Sequence, residues 1–111
     1  MATKKTPNAY RQLKNQHADF IAAVEALGVA ARRAGPLEEK VTQLVQLGAA
    51  GAIRSEGAVH SHTRRALELG VSADEIRHAL LSLTSTIGFP TVRAALTWAD
   101  DVLGAAKSRK K

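Results

Sequence analysis

The sequence predicts an all-α fold, and three observations support this class. Apolar residues recur at intervals of three, four and seven in several segments, which is the spacing of one helix face. Gly70 marks the end of one helix, and Ser72 with Glu75 forms a capping box that starts the next. No stretch alternates apolar and polar residues with a period of two, so no sheet is expected.

About six helices are predicted along the chain. A short helix covers residues 9–13, and a stronger one covers residues 17–33 before Gly35-Pro36 ends it. The third covers residues 37–52. Its small residues at positions 48–52 would allow a neighbouring helix to approach closely.

The second half of the chain has clearer helix boundaries. The fourth helix begins after Ser55, whose hydroxyl can cap a free backbone N–H, and it ends at Gly70. The fifth follows Ser72 and continues towards Thr86. Pro90 starts the last helix, because proline is tolerated in a first turn.

Length and composition indicate one domain, over residues 6–106, between basic tails at residues 1–5 and 107–111. Of the residues, 45% are hydrophobic but only 4% are aromatic, so the core should consist mainly of Ala, Leu, Val and Ile. Such a core suits close helix packing and often accompanies assembly. We therefore expect a homo-oligomer.

The net charge of +6 comes from the two ends of the sequence. Six of the 16 basic residues lie in the first five or last five positions, and the remaining ten balance the ten acidic residues. The tails are expected to be disordered and solubilising. Binding of nucleic acid through them is the weakest alternative, and it would require a steep dependence on salt.

Several classes of site lack their residues in this sequence. There is no cysteine, which excludes disulfides, thiolate metal sites and thiol redox chemistry. There is no phosphate-binding glycine loop, no Cys/His metal cluster and no dinucleotide fingerprint, so no cofactor and no metal are expected. Without an apolar leader or a membrane-spanning segment, a cytoplasmic location is the default expectation.

His62 is the best candidate for chemistry. It shares a stripe of small or apolar residues with Ser55, Ala58, Ala66 and Leu69, so its imidazole should point inward. An inward imidazole can transfer protons, and the structural alternative is a core histidine bonded to a carbonyl or a threonine. Ser55 lies two turns before His62, too far for a direct nucleophile–base pair, and its alternative role is the N-cap.

Glu56 and His60 form a second, charged stripe at an interval of four residues, so Glu56 can support His60. His60 should face water or a partner subunit. His60 and His62 are about 200° apart around a helix, which argues against a metal ion shared between them. The hydroxyls of Thr84 and Ser85 either line the pocket of His62 or bond back to the preceding turn.

The run from Ser55 to Gly70, the segment VSADEI at 71–76, and IGFP at 87–90 with AAL at 94–96 resemble the carboxymuconolactone decarboxylase and alkylhydroperoxidase D-like family. The resemblance covers roughly residues 36–105. In the peroxidase branch the histidine helix begins Cys-x-x-Cys-x-x-x-His.

The reactive positions of that branch can be compared one by one. Its cysteines correspond to Ser55 and Ala58, its histidine to His62, and its proton-relaying glutamate to Gln43. Neither serine nor alanine can attack a peroxide or form a disulfide, so cysteine-dependent peroxidase activity is not expected. The lactone decarboxylase branch, which lacks the cysteine pair and keeps the histidine, is more similar.

The resemblance implies a compact helical fold that assembles as trimers or hexamers, with sites between adjacent subunits. It suggests lyase-type acid–base chemistry on a small organic acid or lactone, with His62 transferring protons. Ser55, Glu56, His60, Thr84 and Ser85 would then be pocket or supporting residues. The alternative is an oligomeric binding or scaffold protein of the same family whose ancestral site has decayed.

Overall fold

The computed structural model describes the backbone of residues 5–110 and the side chains of residues 9–104. Over this part of the chain it contains seven α-helices and no strand: α1 (Lys5–Gln16), α2 (Ala18–Arg32), α3 (Glu39–Ala52), α4 (Glu56–Glu68), α5 (Ala73–Leu81), α6 (Thr84–Ile87) and α7 (Phe89–Lys110). Because α6 is a single turn, the predicted all-α class and the helix count of about six are confirmed.

The predicted tails fall largely outside this description. Residues 1–4 and 111 lie outside the described residues, and no side chain beyond Gly104 is described. The backbone of α7 continues to Lys110. None of the described helices is both long enough and apolar enough to cross a bilayer.

The helices form two compact units, of which the first ends at Leu37 and contains α1 and α2. These two helices pack against each other. The hydroxyl of Tyr10 donates a hydrogen bond to the carboxylate of Glu25, and the ammonium of Lys14 lies 3.6 Å from the same carboxylate. Helix α1 is longer than the predicted segment at 9–13, since it extends by about one turn at each end.

The apolar stripe that predicted α2 is largely exposed in the single chain. The exposed fractions of Phe20, Val24 and Leu27 are 61%, 46% and 69%. Helical periodicity therefore identified the helix correctly, although these side chains are not buried within the chain.

The second unit begins at Glu38 and contains α3 to α7, with α4 packed against both α3 and α7. Its core consists mainly of aliphatic residues: Leu47, Ala50, Val59, Ala66, Val71, Ile76, Leu80, Ala95, Ala99 and Leu103. Full burial of each leucine or isoleucine contributes about 1.5–3 kcal/mol to the free energy of unfolding. This core matches the predicted dominance of small and aliphatic residues.

Helix α3 buries only some of its large apolar residues. Val41 and Val45 are 40% and 60% exposed, whereas the buried positions of α3 are Gln43, Leu47, Ala50 and Gly51. The reason is the close approach of neighbouring helices on the face with small residues. An added Cβ on Gly51 would lie 3.1 Å from the Cβ of Ala95 in α7.

The helix boundaries around α4 and α5 are as predicted. The hydroxyl of Ser55 accepts a hydrogen bond from the N–H of Ala58, and Gly70 follows α4 with φ of 93°. Ser72 and Glu75 form the complete capping box at the start of α5. Local sequence signals thus determine where the histidine helix begins and ends.

The backbone of Arg54, with φ of 58°, redirects the chain between α3 and α4, where the sequence predicted a break. A second break, between Thr86 and Pro90, was also predicted, but the earlier end of the fifth helix was not. The fifth helix ends at Leu81, and the chain continues as the single turn α6 until Gly88, whose φ of 89° suits glycine. Leu83 lies between the two helices and packs against the core.

Two glycines of α3 should respond in opposite ways when each is replaced by alanine. Gly51→Ala should lower the midpoint temperature of unfolding, because its Cβ would meet the fixed Cβ of Ala95 at 3.1 Å. Gly48→Ala, whose Cβ would meet the flexible Leu83 side chain at 3.4 Å, should raise stability by up to about 1 kcal/mol through helix propensity. Thermal unfolding followed by circular dichroism measures both. A higher midpoint for Gly51→Ala would contradict the close packing.

The capping box predicts a dependence of stability on pH. The backbone N–H of Ser72 donates to Oε1 of Glu75 at 2.8 Å, and this bond, with the Ser72 side chain, lowers the pKa of Glu75 from its ordinary 4.5. The stabilisation is therefore present above pH 4.5 and is lost as the pH falls through the lowered pKa of the folded state. Glu75→Gln should remove this part of the acid sensitivity. Unfolding midpoints measured from about pH 6 to pH 3 should converge for the two proteins in acid, whereas parallel profiles would reject the linkage.

Candidate functional site

The two histidines of α4 lie on opposite flanks of the helix. Residues two positions apart are about 200° apart around the helix axis, so the two side chains project to nearly opposite sides. His62 contacts Gln43 of α3, and His60 contacts Asp101 of α7. These two contacts connect α4 to α3 and to α7.

On the first flank, Nδ1 of His62 lies 2.9 Å from Oε1 of Gln43. The imidazole is half-buried, and Gln43 is only 1% exposed. The side chain thus faces the bundle, as its position on the small-residue stripe predicted. Gln43 was identified only through the family resemblance, because a lone glutamine carries no signal in the sequence.

This hydrogen bond fixes the proton arrangement of the His62 ring. An amide oxygen can only accept, so Nδ1 carries the hydrogen and donates it to Gln43. In the neutral ring, Nε2 is then the nitrogen that can accept a proton. The contact with Gln43 thus holds the His62 ring in one orientation.

Ser55 acts as the N-cap of α4. Its hydroxyl oxygen accepts from the N–H of Ala58 at 3.4 Å, and its backbone has the extended conformation usual for a cap. The observed contact of Ser55 is therefore the N-cap, which the sequence analysis gave as its alternative role. A nucleophilic role for Ser55 has no support in this geometry.

On the second flank, His60, which the sequence predicted to face water or a partner subunit, contacts α7 of its own chain. Its side chain is 13% exposed, and its Nε2 lies 2.8 Å from Oδ2 of Asp101 in α7. The charged stripe of α4 is covered by α7, which periodicity alone cannot reveal. Glu56, one turn before His60, lies close enough that ligand atoms of Glu56, His60 and Asp101 are all within 4.8 Å of one another.

Thr84 and Ser85 show the local contacts expected of hydroxyls near a helix end. The hydroxyl of Thr84 donates to the carbonyl oxygen of Leu81 at 2.8 Å, and Ser85 is exposed. The sequence analysis gave two alternatives for these hydroxyls, and the bond of Thr84 is the one to the preceding turn. A pocket role for the two residues stays a prediction.

Sequence reasoning missed two residues at these flanks. Asp101 is 41 positions from His60, so no local spacing connects them. Thr63 is fully buried, and its hydroxyl has no hydrogen-bond partner within the described part of the chain. Its position three residues after His60 would have placed it on the same flank, although a threonine in a helix is by itself no signal.

Comparison with known proteins gives a match over most of the chain. The family model described as the carboxymuconolactone decarboxylase family matches residues 18–101. No curated protein matches the sequence.

Two solved structures are similar. One is the apo form of a carboxymuconolactone decarboxylase family protein from Legionella pneumophila, with a TM-score of 0.79 and 19% identity, covering 92% of this chain and 91% of that chain. The other is a protein from Thermotoga maritima, with a TM-score of 0.73 and 25% identity, covering 95% of this chain and 98% of that chain. These likenesses support the fold.

The orientation of His62 by Gln43 gives a direct prediction. Gln43→Leu removes the acceptor, so the ¹⁵N resonances of the His62 ring should no longer report a hydrogen fixed on Nδ1. Loss of the bond should also lower the free energy of unfolding by about 1–3 kcal/mol, because a half-buried donor loses its partner. Gln46→Leu, a half-buried position on the same helix, is the control and should change neither. Unchanged ring resonances in Gln43→Leu would show that Gln43 does not orient the ring.

Proposed function

Because this chain belongs to the carboxymuconolactone decarboxylase family, we propose that it performs acid–base chemistry of the lyase type on a small organic acid or lactone. His62 is the proposed proton-transfer residue. The observation that carries the proposal is the hydrogen bond between Nδ1 of His62 and Gln43, which leaves Nε2 as the basic nitrogen of the neutral ring.

The reaction class follows from the groups that the chain contains. With no cysteine, it has no thiolate to attack a peroxide and no pair to form a disulfide. An oriented imidazole can remove the proton of a carboxylic acid group. As CO₂ leaves, the electron pair of the broken C–C bond stays on the carbon next to a carbonyl group as an enolate, and the imidazolium returns the proton to that carbon. Both steps need only one base that alternates between its neutral and protonated forms.

The surroundings of His62 suit a small substrate. Helix α4 carries small, half-buried residues before the histidine, including Gly57, Ala58 and Ser61. We expect these small side chains to leave space beside the imidazole for a small substrate.

Gln43 has a positioning role in this proposal. Its amide can hold the ring in one orientation, but it cannot exchange a proton as a glutamate can. Gln43 therefore takes no proton from His62, and in this proposal His62 both removes the proton and returns it.

A binding or scaffold role without catalysis is the second candidate. It is favoured by the same glutamine, because the family position that relays protons in the peroxidase branch holds a group that cannot ionise. In that case His62 and Gln43 would serve as a fixed hydrogen-bonding pair for a ligand. The homo-oligomer expected from the sequence is compatible with both candidates.

The test uses carboxymuconolactone, named in the family description, together with a panel of small lactones and carboxylic acids. Release of CO₂ and exchange of substrate hydrogens with D₂O are followed by NMR. His62→Ala should reduce turnover by about 10²–10⁴-fold, the usual contribution of a general base. His78→Ala, an exposed histidine of α5, is the matched control and should leave turnover unchanged.

Two results would decide against catalysis by His62. Turnover that persists in His62→Ala, with an unchanged circular dichroism spectrum, would reject its role. If the wild type converts none of the compounds, while one of them shifts the His62 resonances in a saturable way, the binding role is the better description.

A further inference from the structure

We propose that Glu56, His60 and Asp101 form a binding site for a divalent transition-metal ion such as Zn²⁺. The site lies on the flank of α4 opposite His62, so it goes beyond the proposed function. One ligand atom from each residue lies within 4.8 Å of the others. The proposal departs from the expectation, drawn from the sequence, that the chain has no metal site.

The donor set determines the kind of ion. One imidazole nitrogen and two carboxylate oxygens suit Zn²⁺ and other first-row divalent ions, because these ions accept nitrogen ligands readily. Mg²⁺ and Ca²⁺ prefer sites made of oxygen alone. Three protein ligands would leave a fourth position for water, as in zinc sites that are open to solvent.

The ligands are held by two packed helices. Glu56 and His60 are separated by four residues on α4, so their side chains project from neighbouring turns of one face. Asp101 comes from α7, which packs along α4 through the buried residues Val59 and Ala99. Rigid elements keep a set of ligands in place better than loops do.

The distance between His60 and Asp101 needs only a small adjustment, and a carboxylate oxygen of Glu56 lies within 4.8 Å of both ligand atoms. Bonds of 2.0–2.2 Å at tetrahedral angles keep ligand atoms about 3.4 Å apart. Nε2 of His60 and Oδ2 of Asp101 are 2.8 Å apart, so they would have to separate by about 0.6 Å. The side chain of Asp101 is 53% exposed and has room to move, whereas that of His60 is 13% exposed.

The electrostatics favour a cation. Two carboxylates lie beside a single imidazole, and their mutual repulsion decreases when a divalent ion binds between them. The exposed side of Asp101 offers a route for the ion, and the buried side of His60 keeps water from surrounding it completely.

Helical spacing places Thr63 on the same side of α4 as Glu56 and His60. It follows His60 by three residues, it is fully buried, and its hydroxyl has no hydrogen-bond partner among the described residues. Buried polar groups are normally paired. Metal ligands are commonly held by a second hydrogen bond, and a hydroxyl can donate one to a carboxylate.

The experiment titrates the metal-free full chain, without an affinity tag, with ZnCl₂ in a calorimeter. We expect saturable binding of one ion per chain. Glu56→Gln, His60→Ala and Asp101→Asn should each weaken the affinity by at least about tenfold, since loss of a second hydrogen-bonding shell alone costs 10- to 100-fold. Zn²⁺ should also raise the unfolding midpoint of the wild type more than that of Glu56→Gln.

Three control variants separate this site from other sources of binding. His78→Ala and Asp100→Asn alter exposed residues of the same types, and both should bind Zn²⁺ within about twofold of the wild type. His62→Ala should also retain binding, so loss of turnover in that variant would bear on the proposed function alone.

Three outcomes would overturn the proposal. They are the absence of saturable Zn²⁺ binding, an unchanged affinity in all three ligand variants, and a loss of affinity in His78→Ala or Asp100→Asn as large as that in the ligand variants. If His60→Ala fails to fold, Asp101→Asn provides the test, because its side chain is half-exposed and its substitution preserves shape.

Discussion

The packing of α4 between α3 and α7 is the constraint on which the rest of the second unit depends. Val59 and Ala66 of α4 are fully buried, and Gly51 with Ala95 allows α3 and α7 to meet closely. Small side chains at these contacts leave little space for anything but backbone and aliphatic groups. His60 and His62 of α4 lie on its two flanks, where the neighbouring helices offer them partners.

That arrangement separates the chemistry of the chain into two regions. His62 and Gln43 form a hydrogen-bonded pair on one flank, suited to holding an imidazole in one orientation. Glu56, His60 and Asp101 lie together on the other flank. One helix thus carries both the proposed proton-transfer residue and the proposed metal site, and the two lie on opposite flanks.

Features that depend on residues close together in the chain could be predicted from the sequence. The cap at Ser55, the end at Gly70 and the box formed by Ser72 and Glu75 depend on residues a few positions apart, and all were predicted correctly. The all-α class follows from the same kind of evidence. The inward direction of His62 follows from its place on a stripe of small residues.

Features that depend on distant residues could not be predicted in this way. Helix α3 buries Gln43 and Leu47 together with its small residues Ala50 and Gly51 and leaves Val41 and Val45 exposed, a choice that depends on the helices packed against it. His60 was expected to face water or a partner subunit, and no local spacing indicated its contact with Asp101, 41 residues away. Whether such a residue finds a partner depends on how helices are arranged in space, and periodicity within one helix contains no information about that.

The attachment of both imidazoles to the same two turns of α4 has a mechanical consequence. Because they project in nearly opposite directions, a small rotation of α4 about its long axis would move the two rings in opposite senses. A rotation of about 10° displaces a ring that lies roughly 6 Å from the axis by about 1 Å. Such a shift is comparable to the margin that separates a good hydrogen bond from a broken one. The angular setting of this one helix therefore governs both polar contacts together, even though no atom is shared between them.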